Sequence, residues 1–568
     1  MKISAKRNVQ LFVKQCIDEG LKHVVVSPGS RNAPLTVSFN QHPKISCTII
    51  PDERSAAFFA LGMAQELNEP VALLCTSGSA STNYYPAIVE AYYQRIPLVA
   101  ITADRPQNMI NQGDGQSIVQ ADLYKNHIDY FCQFNDVEST KAYETYLLKE
   151  TRQAFAHLKA NSKGPVHINF SLSEPLYDTV EIDFNETDHE VPKHVSKKLL
   201  TAEQIDSLRA KWGEHKKIMI LCGQMIPNQA LKDQLKLLAD KHSALVLVEN
   251  TSNLVDQSFI HCIDRTLNSI PENEQKDFAP DLLITLGGAI VSKRIKSFLR
   301  THQAKQHWKV SYDFPEMDTY QNLSQSFEVD AVSFFRQLKL DDIELNSDYG
   351  RKWKQKDLLI QDKANSFFES LNTWGDIYAF HMVLDCIPEN SILHLANSSV
   401  VRYAQLFDPI RSIIYRSNRG VSGIDGSTST AAGASYIAKE TWVNLITGDM
   451  SFFYDSNAFW NHELASNFRI FLINNGGGGI FKIIPGPDST EELDDFFVFQ
   501  NTFDAKHICS AFGISHYSAR SVQEIEEQME DFYTYEKQGK PKLMEILTSN
   551  QKNEVELDAF FKKIRLAD

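Results

Sequence analysis

The sequence predicts an α/β protein of about three domains, with parallel sheets that are covered by helices on both faces. Short apolar runs alternate with segments of helical periodicity, as is typical of strands buried on both sides of a sheet. The chain has 568 residues, 43% of them hydrophobic, which is too long for one core and sufficient for several. We expect domains over residues 1–180, 198–345 and 358–568.

The first domain should begin with a helix and continue with four strands. Apolar residues from Val9 to Ile17 recur at helical spacing, and Gly20 follows where a helix cap is expected. Loops of small or polar residues follow the first three strands, and such loops bind ligands in parallel α/β folds. The predicted strands cover 23–26, 71–75, 97–102 and 166–170.

The other two domains repeat this pattern after polar connecting segments. An acidic stretch over 178–198 and a charged stretch over 348–357 read as linkers. The first and third domains look alike in architecture without visible sequence similarity, which suggests two related sheets. The predicted strands cover 217–223, 244–250 and 281–288 in the second domain, and 391–396, 442–447, 469–474 and 542–547 in the third.

Charge and cysteine content exclude several classes of protein. The formal charge is −15, from 57 basic and 72 acidic residues, which argues against a general nucleic-acid binder. No run of about 18 apolar residues is present, so we expect no membrane span. The N-terminus lacks a signal-peptide core, and the 8 cysteines are scattered without a C-x-x-C pair. A cytoplasmic location suits these features.

The strongest chemical signal lies in the third domain, at the ends of two predicted strands. One strand ends in Gly448-Asp449-Met450, and the next ends in Asn474-Asn475 followed by four glycines, with 23 residues from Ser451 through Ile473 between the two motifs. Asp449 and Asn475 should therefore leave neighbouring strands at the same edge of the sheet. Both motifs are also common in turns, but their joint spacing favours a site for Mg²⁺ and a diphosphate, which use hard oxygen ligands and close backbone approach.

This pair of motifs resembles that of the thiamin-diphosphate enzymes, which have G-D-x followed after a similar interval by N-N. The resemblance implies thiamin diphosphate with Mg²⁺, or Mn²⁺ in its place. It implies Asp449, the amide oxygen of Asn475 and the carbonyl of Gly477 as metal ligands; Met450 replaces a usual glycine. It further implies a pyrimidine-binding first domain, a central domain and a diphosphate-binding third domain. The implied cofactor-binding residues are Ser77, Gly78, Ser422, Gly423, Ile424, Gly448, Met450, Ser451 and Ile480.

The resemblance also implies a glutamate that hydrogen-bonds the aminopyrimidine ring of the cofactor from the partner subunit. Glu53, in the segment 51–65, occupies this position at the start of a predicted helix. Acidic residues at helix starts often serve only the helix dipole. The small-residue loop at 76–83 and the metal motif nevertheless favour a catalytic role for Glu53, whose pKa burial would raise.

Further motifs resemble one branch of this family, a transferase that condenses 2-oxoglutarate with isochorismate in menaquinone biosynthesis. They are S-P-G-S-R at 27–31, T-A-D-R-P at 102–106, N-S-S-V-V-R at 397–402 and S-N-R-G-V-S-G-I-D-G at 417–426. The two substrates carry four carboxylates between them, and arginine binds carboxylates through a bidentate fork. This accounts for six cations at predicted strand ends in an acidic protein.

The branch implies a division of these residues between the substrates. The residues expected to bind isochorismate are Arg31, Arg105, Gln116, Lys293 and Arg294. Ser30 is expected to bind a substrate as well. Residues expected at the part derived from 2-oxoglutarate are Ser398, Arg402 and Arg419. An apolar wall near the cofactor is expected from Ile480, Phe481 and Ile484. Gly115 and Gly479 depart from the branch, which often has Asn and Gln there.

Three alternatives remain open at this point. Within the family, the chain could be a pyruvate-using carboligase of the acetolactate synthase type, although the arginine-rich loops favour 2-oxoglutarate. It could be a cofactor-binding regulatory subunit, but such a protein would not need Glu53. A nicotinamide dehydrogenase is disfavoured because no strand is followed by G-x-G-x-x-G. The family implies a homodimer or a dimer of dimers, with active sites at the subunit interface.

Overall fold

The predicted α/β class with parallel sheets is confirmed. The computed structural model describes residues 1–182, 198–241, 244–343, 347–483, 486–537 and 539–565. These residues form three parallel sheets and one small antiparallel pair of strands. Within the described ranges, no helix has the length and apolarity that a membrane crossing requires.

The first sheet has six strands in the order β3-β2-β4-β5-β7-β6, all parallel. Its middle strands are completely buried because helices cover both faces, which explains their continuous apolar sequences. The elements of this part of the chain are β1 (Lys2–Ser4), α1 (Arg7–Asp18), β2 (His23–Val26), α2 (Ala33–Asn40), β3 (Ser46–Ile49), α3 (Glu53–Leu67), β4 (Val71–Cys75), α4 (Ser79–Asn83), α5 (Tyr85–Gln94), β5 (Leu98–Asp104), β6 (Tyr130–Phe134), α6 (Lys141–Leu158), β7 (Val166–Ser171) and β8 (Thr179–Glu181), which pairs with β1.

The second sheet has five parallel strands in the order β10-β9-β11-β12-β13. Two apolar cores lie within this part of the chain, one on each face of the sheet. Its elements are α7 (Ala202–Glu214), β9 (Ile218–Cys222), α8 (Gln229–Asp240), β10 (Leu245–Val248), α9 (Ile263–Asn268), α10 (Gln275–Phe278), β11 (Leu282–Leu286), α11 (Lys293–Thr301), β12 (Gln306–Val310), β13 (Gln325–Phe327) and α12 (Ala331–Leu338).

The third sheet has six parallel strands in the order β15-β14-β16-β17-β19-β18. Counted from its own first strand, this order is the same as that of the first sheet, as the predicted likeness of the two domains requires. Its elements are α13 (Tyr349–Glu369), α14 (Asp376–Asp385), β14 (Ile392–Leu395), α15 (Ser399–Ala404), β15 (Ile414–Arg416), α16 (Ser427–Ile437), β16 (Val443–Gly448), α17 (Asp449–Tyr454), β17 (Phe468–Asn474), α18 (Ile480–Ile483), α19 (Lys506–Phe512), β18 (Ser515–Ala519), α20 (Val522–Phe532), β19 (Lys542–Leu547) and α21 (Asn550–Ile564).

The first and third sheets are joined by the packing of α3 against α16. Small residues on both helices allow their backbones to approach closely, and the two helices share one apolar core. A Cβ atom on Gly62 would lie 1.9 Å from the carbonyl oxygen of Thr430, and one on Gly433 would lie 1.9 Å from that of Phe59. The distance between the two domains therefore depends on these glycines.

We expect Gly433→Ala to lower the melting temperature of the protein, because the new methyl group collides with a backbone carbonyl that cannot rotate away. Overpacking of this kind costs about 1–3 kcal/mol, or several degrees in a domain of this size. Thermal unfolding followed by circular dichroism measures the effect. Gly213→Ala is the matched control: Gly213 also lies in a helix, has open space around it, and should be neutral or stabilising as alanine. An unchanged melting temperature for Gly433→Ala would contradict the close helix contact.

Candidate active site

A cavity of about 190 Å³ lies at the carboxyl ends of β14, β16 and β17. The strand order of the third sheet reverses between β14 and β16, and open α/β sheets bind ligands at such positions. Ten residues that the sequence predicted for the site line this cavity: Ser398, Ile424, Gly448, Asp449, Met450, Ser451, Asn475, Gly477, Ile480 and Phe481.

Asp449 and the glycine loop meet at the bottom of this cavity. In the register of β16 and β17, Gly448 pairs with Ile473, so Asp449 lies beside Asn474 and Asn475. The Oδ2 atom of Asp449 accepts the N–H of Gly477 at 2.7 Å, and its Oδ1 atom accepts the N–H of Met450 at 2.7 Å. Burial raises the pKa of Asp449 to about 6. A cation beside this carboxylate would offset the cost of burying its charge.

The amide group of Asn475 is held in one orientation. Its Nδ2 atom donates to Oδ2 of Asp376 at 2.8 Å, which leaves Oδ1 on the opposite side. This Oδ1 atom is buried and has no hydrogen-bond partner in the structure as described. An amide oxygen that is buried without a partner is costly, and it suits a hard cation such as Mg²⁺. The described residues contain no group of three or more His, Cys, Asp or Glu that could hold a metal.

The glycine loop allows the backbone to approach this position. Gly477 has φ +141°, which strongly favours glycine, and a Cβ atom there would lie 2.6 Å from the carbonyl oxygen of Phe499. Phe481 on the next helix packs against Phe497, with 5.7 Å between ring centroids. Together with Ile480, these rings give the cavity an apolar wall. Ile484 lies outside the described residues.

Asn397, which the sequence motifs did not single out, connects the cavity to the loop at 417–424. Its Nδ2 atom donates to the carbonyl oxygens of Asn418 at 2.6 Å and Gly423 at 2.7 Å. Its Oδ1 atom accepts from Nη1 of Arg419 at 2.6 Å. Its place at the start of the N-S-S motif was the available signal. Asp376 and Phe380, which also escaped prediction, have no motif that could have revealed them.

Two arginines of the third domain keep unused donors inside the protein. Arg402 and Arg419 each have a buried Nε atom without a hydrogen-bond partner among the described residues, and burial lowers the pKa of both guanidinium groups. Arg419 lines a second cavity of about 540 Å³, where the three domains meet. Ser398 precedes α15 with φ +72°, an uncommon backbone conformation for serine. Donors of this kind are suited to binding carboxylates.

Glu53 is the first residue of α3, as the sequence predicted. It is half-buried, and burial raises the pKa of its carboxyl group. Its neighbours bind the third domain of the same chain: Oδ2 of Asp52 accepts from Asn457 at 2.7 Å, and Arg54 donates to the carbonyl of Tyr454 at 2.8 Å. Glu53 itself does not line the 190 Å³ cavity of its own chain.

The remaining predicted residues of the first domain form a separate group. The N–H of Gly78 donates to Oε1 of Gln120 at 2.9 Å, and Gly78 touches Gln116 so closely that a Cβ atom would lie 3.0 Å from its Cα atom. Ser77 is buried beside it. The Nε atom of Arg105 donates to the carbonyl of Gly115 at 2.8 Å. The loops with Gly78, Arg105 and Gln116 are thus mutually fixed.

Arg31 lies on another loop of the same sheet edge. Its Nη1 atom donates to the carbonyl of Leu172 at 2.9 Å and lies 3.3 Å from the carboxylate of Glu174. Ser30 next to it is exposed. None of the first-domain residues lines the cavity at Asp449, so a single chain does not bring the two groups together.

Lys293 and Arg294 are the first two residues of α11, and both are exposed. The guanidinium of Arg294 lies 4.7 Å from the centre of the Phe561 ring in the third domain. Ser422, in the loop between β15 and α16, is exposed as well, with φ +62°. These three positions do not line the 190 Å³ cavity either.

Two family models match the chain. The model of the N-terminal thiamine-pyrophosphate-binding domain of thiamine-pyrophosphate enzymes matches residues 7–124. The model of the middle domain of these enzymes matches residues 187–395. Together these models cover more than half of the sequence, and the second match begins within the linker that was predicted over 178–198.

Several curated relatives match along nearly the whole chain, and they bear the name 2-succinyl-5-enolpyruvyl-6-hydroxy-3-cyclohexene-1-carboxylate synthase. The relative from Christiangramia forsetii is 43% identical over 99% of this chain and 98% of its own. Those from Flavobacterium psychrophilum and Flavobacterium johnsoniae are 40% and 39% identical, each over 98% of both chains.

Proposed function

Because the chain belongs to the thiamine-pyrophosphate enzymes, and among them to the 2-succinyl-5-enolpyruvyl-6-hydroxy-3-cyclohexene-1-carboxylate synthases, we propose that it carries out the reaction of that family. In this reaction 2-oxoglutarate loses CO₂, and the remaining four-carbon unit adds to the ring double bond of isochorismate. The chain is a thiamin-diphosphate-dependent enzyme of menaquinone biosynthesis. The individual residue roles, the metal, the dimer and a cytoplasmic location are our proposals.

One observation gives the main support for a metal site in this cavity. The buried Oδ1 of Asn475 has no partner among the described residues, and it belongs to the same cavity as the carboxylate of Asp449 and the loop of Gly477. These groups would hold Mg²⁺, or Mn²⁺ in its place, together with the diphosphate. When bound, thiamin diphosphate supplies the nucleophilic carbon and the electron sink that decarboxylation of a 2-oxo acid requires. Asp376 would keep the Asn475 amide turned toward the metal.

Glu53 would hold a proton at the aminopyrimidine end of the cofactor. Its half-buried position and raised pKa support this role, because burial favours the protonated carboxyl group, which can donate a hydrogen bond. Since Glu53 does not line the cavity of its own chain, we propose a homodimer, or a dimer of dimers, in which Glu53 of one subunit serves the cofactor of the other.

The cations would bind and orient the four carboxylates of the two substrates. The Nε atoms of Arg402 and Arg419 are buried and have no partner among the residues that the structure describes, which supports a role in binding the part derived from 2-oxoglutarate. We assign Ser398 to the same part. We assign Ser30, Arg31, Arg105, Gln116, Lys293 and Arg294 to isochorismate. Ile424, Ile480 and Phe481 would exclude water from the reacting carbon. Ser77, Gly78, Ser422, Gly423, Gly448, Met450 and Ser451 would bind the cofactor.

The reaction is tested by removing the cofactor and metal, and then adding them back. We expect CO₂ release from 2-oxoglutarate, and formation of the condensed product, only when thiamin diphosphate, a divalent cation and isochorismate are all present. A pyruvate-using carboligase of the acetolactate synthase type would instead release CO₂ from pyruvate without isochorismate. Full activity after exhaustive removal of the cofactor would contradict the proposal.

We expect Glu53→Gln to reduce kcat by about 10²- to 10⁴-fold, the range that general acid–base groups contribute. The amide cannot transfer a proton, whereas its size is nearly the same and the cap of α3 by Asp52 is unchanged. Glu69→Gln is the matched control, since Glu69 lies just after the same helix and forms a surface ion pair with Lys22. Near-normal turnover by Glu53→Gln, in a protein that unfolds at the normal temperature, would remove Glu53 from the mechanism.

We expect Asp449→Ala to weaken the binding of Mg²⁺ and of thiamin diphosphate together, each by at least about tenfold, because one carboxylate supports both. Isothermal titration calorimetry of each ligand in the presence of the other measures this. Asp385→Ala is the control, as Asp385 is an exposed carboxylate of α14. If Asp449→Ala binds both ligands with normal affinity, the ligand assignment is wrong.

A further inference from the structure

Two buried glutamates make the same kind of contact with two loops that carry proposed substrate cations. Oε1 of Glu90, on α5, accepts the N–H of Gly420 at 2.6 Å, and Oε2 accepts that of Val421 at 2.8 Å. Oε1 of Glu249, just after β10, accepts the N–H of Ser292 at 2.7 Å, and Oε2 accepts that of Val291 at 2.7 Å. In both loops a proposed substrate cation is the adjacent residue.

Apolar packing does not explain why either glutamate is buried. Glu90 is 1% exposed and Glu249 is 2% exposed, and an ionised group is rarely buried to this extent unless it has specific partners. Burial raises the pKa of Glu249 to about 7 and also raises that of Glu90, while Arg419 acts in the opposite direction on both. Arg419 therefore lies within the electrostatic field of both carboxylates.

The loop at Glu249 has a particular need for negative charge. Helix α11 begins with Lys293-Arg294-Ile295-Lys296 and has no acidic residue in its first turn, although helix N-termini repel cations. Glu249 holds the N–H of Ser292, and Asp264 accepts a hydrogen bond from the Oγ atom of the same residue. Ser292 also caps the helix by accepting the N–H of Ile295 at 3.0 Å. The two buried carboxylates thus offset the unfavourable cations in the first turn of α11.

The loop at Glu90 is held across a domain boundary. Glu90 belongs to the first domain, whereas Arg419, Gly420 and Val421 belong to the third. A Cβ atom on Gly420 would lie 2.7 Å from the backbone oxygen of Glu90 and 3.0 Å from Oε1, so glycine is required for this contact. Gln94, one turn further along α5, donates to Oε1 of Glu90 and fixes its rotamer.

We propose that Glu90 and Glu249 are positioning residues for substrate binding: Glu90 fixes the loop with Arg419, and Glu249 fixes the loop with Lys293 and Arg294. Neither glutamate needs to touch a substrate for this role. Each acts through two consecutive backbone N–H groups, which set both the position and the direction of the neighbouring side chain. The inference rests on the proposed function, because that function assigns the two loops to different substrates.

The test is the Michaelis constant of each substrate in two isosteric variants. Glutamine keeps one acceptor but turns an NH₂ group toward the second N–H, so each variant should displace its loop. We expect Glu249→Gln to raise KM for isochorismate about tenfold, a size expected for one charge-assisted hydrogen bond. KM for 2-oxoglutarate should rise less, because the charge of Glu249 acts on Arg402 and Arg419 only through space. Glu90→Gln should show the reverse preference.

Asp330→Asn is the matched control, since Asp330 accepts the N–H groups of Val332 and Ser333 at the start of α12 in the central domain, away from both loops. It should lower the melting temperature without changing either KM. Variants of Glu90 and Glu249 that behave like this control, or that raise both KM values equally, would overturn the proposal.

Hydrogen–deuterium exchange provides a readout that needs no substrate. In Glu249→Gln the amides of Val291 and Ser292 should exchange at least about tenfold faster, with the loop at Gly420 unchanged, and Glu90→Gln should give the opposite pattern. Unchanged exchange at these amides would refute the positioning contacts. A wild-type enzyme that condenses neither substrate would instead refute the proposed function, while the exchange pattern would still stand.

Discussion

The burial of carboxylates beside the ends of strands and helices is the constraint on which the geometry of this site depends. Asp449, Glu90 and Glu249 are almost inaccessible to solvent, so each needs donors in place of the water that it loses. Each accepts two backbone N–H groups, and at least one of them comes from a segment far along the chain. Two bonds to one rigid carboxylate fix both a distance and an angle. Each buried carboxylate therefore fixes the position of the loop whose N–H groups it accepts.

The sequence predicted the inner strands well and the edges of the sheets poorly. All eleven predicted strands are strands in the structure, because their continuous apolar runs match complete burial on both faces. Among the strands of the three large sheets that were missed, β3, β6, β13, β15 and β18 lie at sheet edges, and the sixth, β12, lies next to one. Edge strands such as β18, with the sequence Ser-His-Tyr-Ser-Ala, are only partly buried and lack an apolar run. The domain boundaries remain predictions.

Site residues could be predicted where their partners lie close in sequence, and were missed where their partners lie far away in sequence. Asp449 and Asn475 could be found because one helix and one strand separate them, so their spacing in sequence encodes their proximity. Asp376 orients Asn475 from a position 99 residues earlier, and Glu90 reaches Gly420 across 330 residues. Contacts of this kind arise only when domains pack, and no local pattern records them. The first-domain residues do not line the cavity of their own chain, and no local sequence pattern records this either.

Apolar and polar contacts have different roles where the three domains meet. Packing of α3 against α16 sets the distance between the first and third domains, but apolar contact is non-directional and cannot aim a side chain. Direction comes from hydrogen bonds: Nε2 of Gln224, in the central domain, donates to Oε1 of Gln94 at 2.9 Å and to the carbonyl of Ser417 at 2.8 Å. The cation-bearing loops contain glycines and are not rigid by themselves. Their geometry is therefore a property of the junction, and the central domain contributes to the site through Gln224 and Glu249 although it supplies no proposed cofactor ligand.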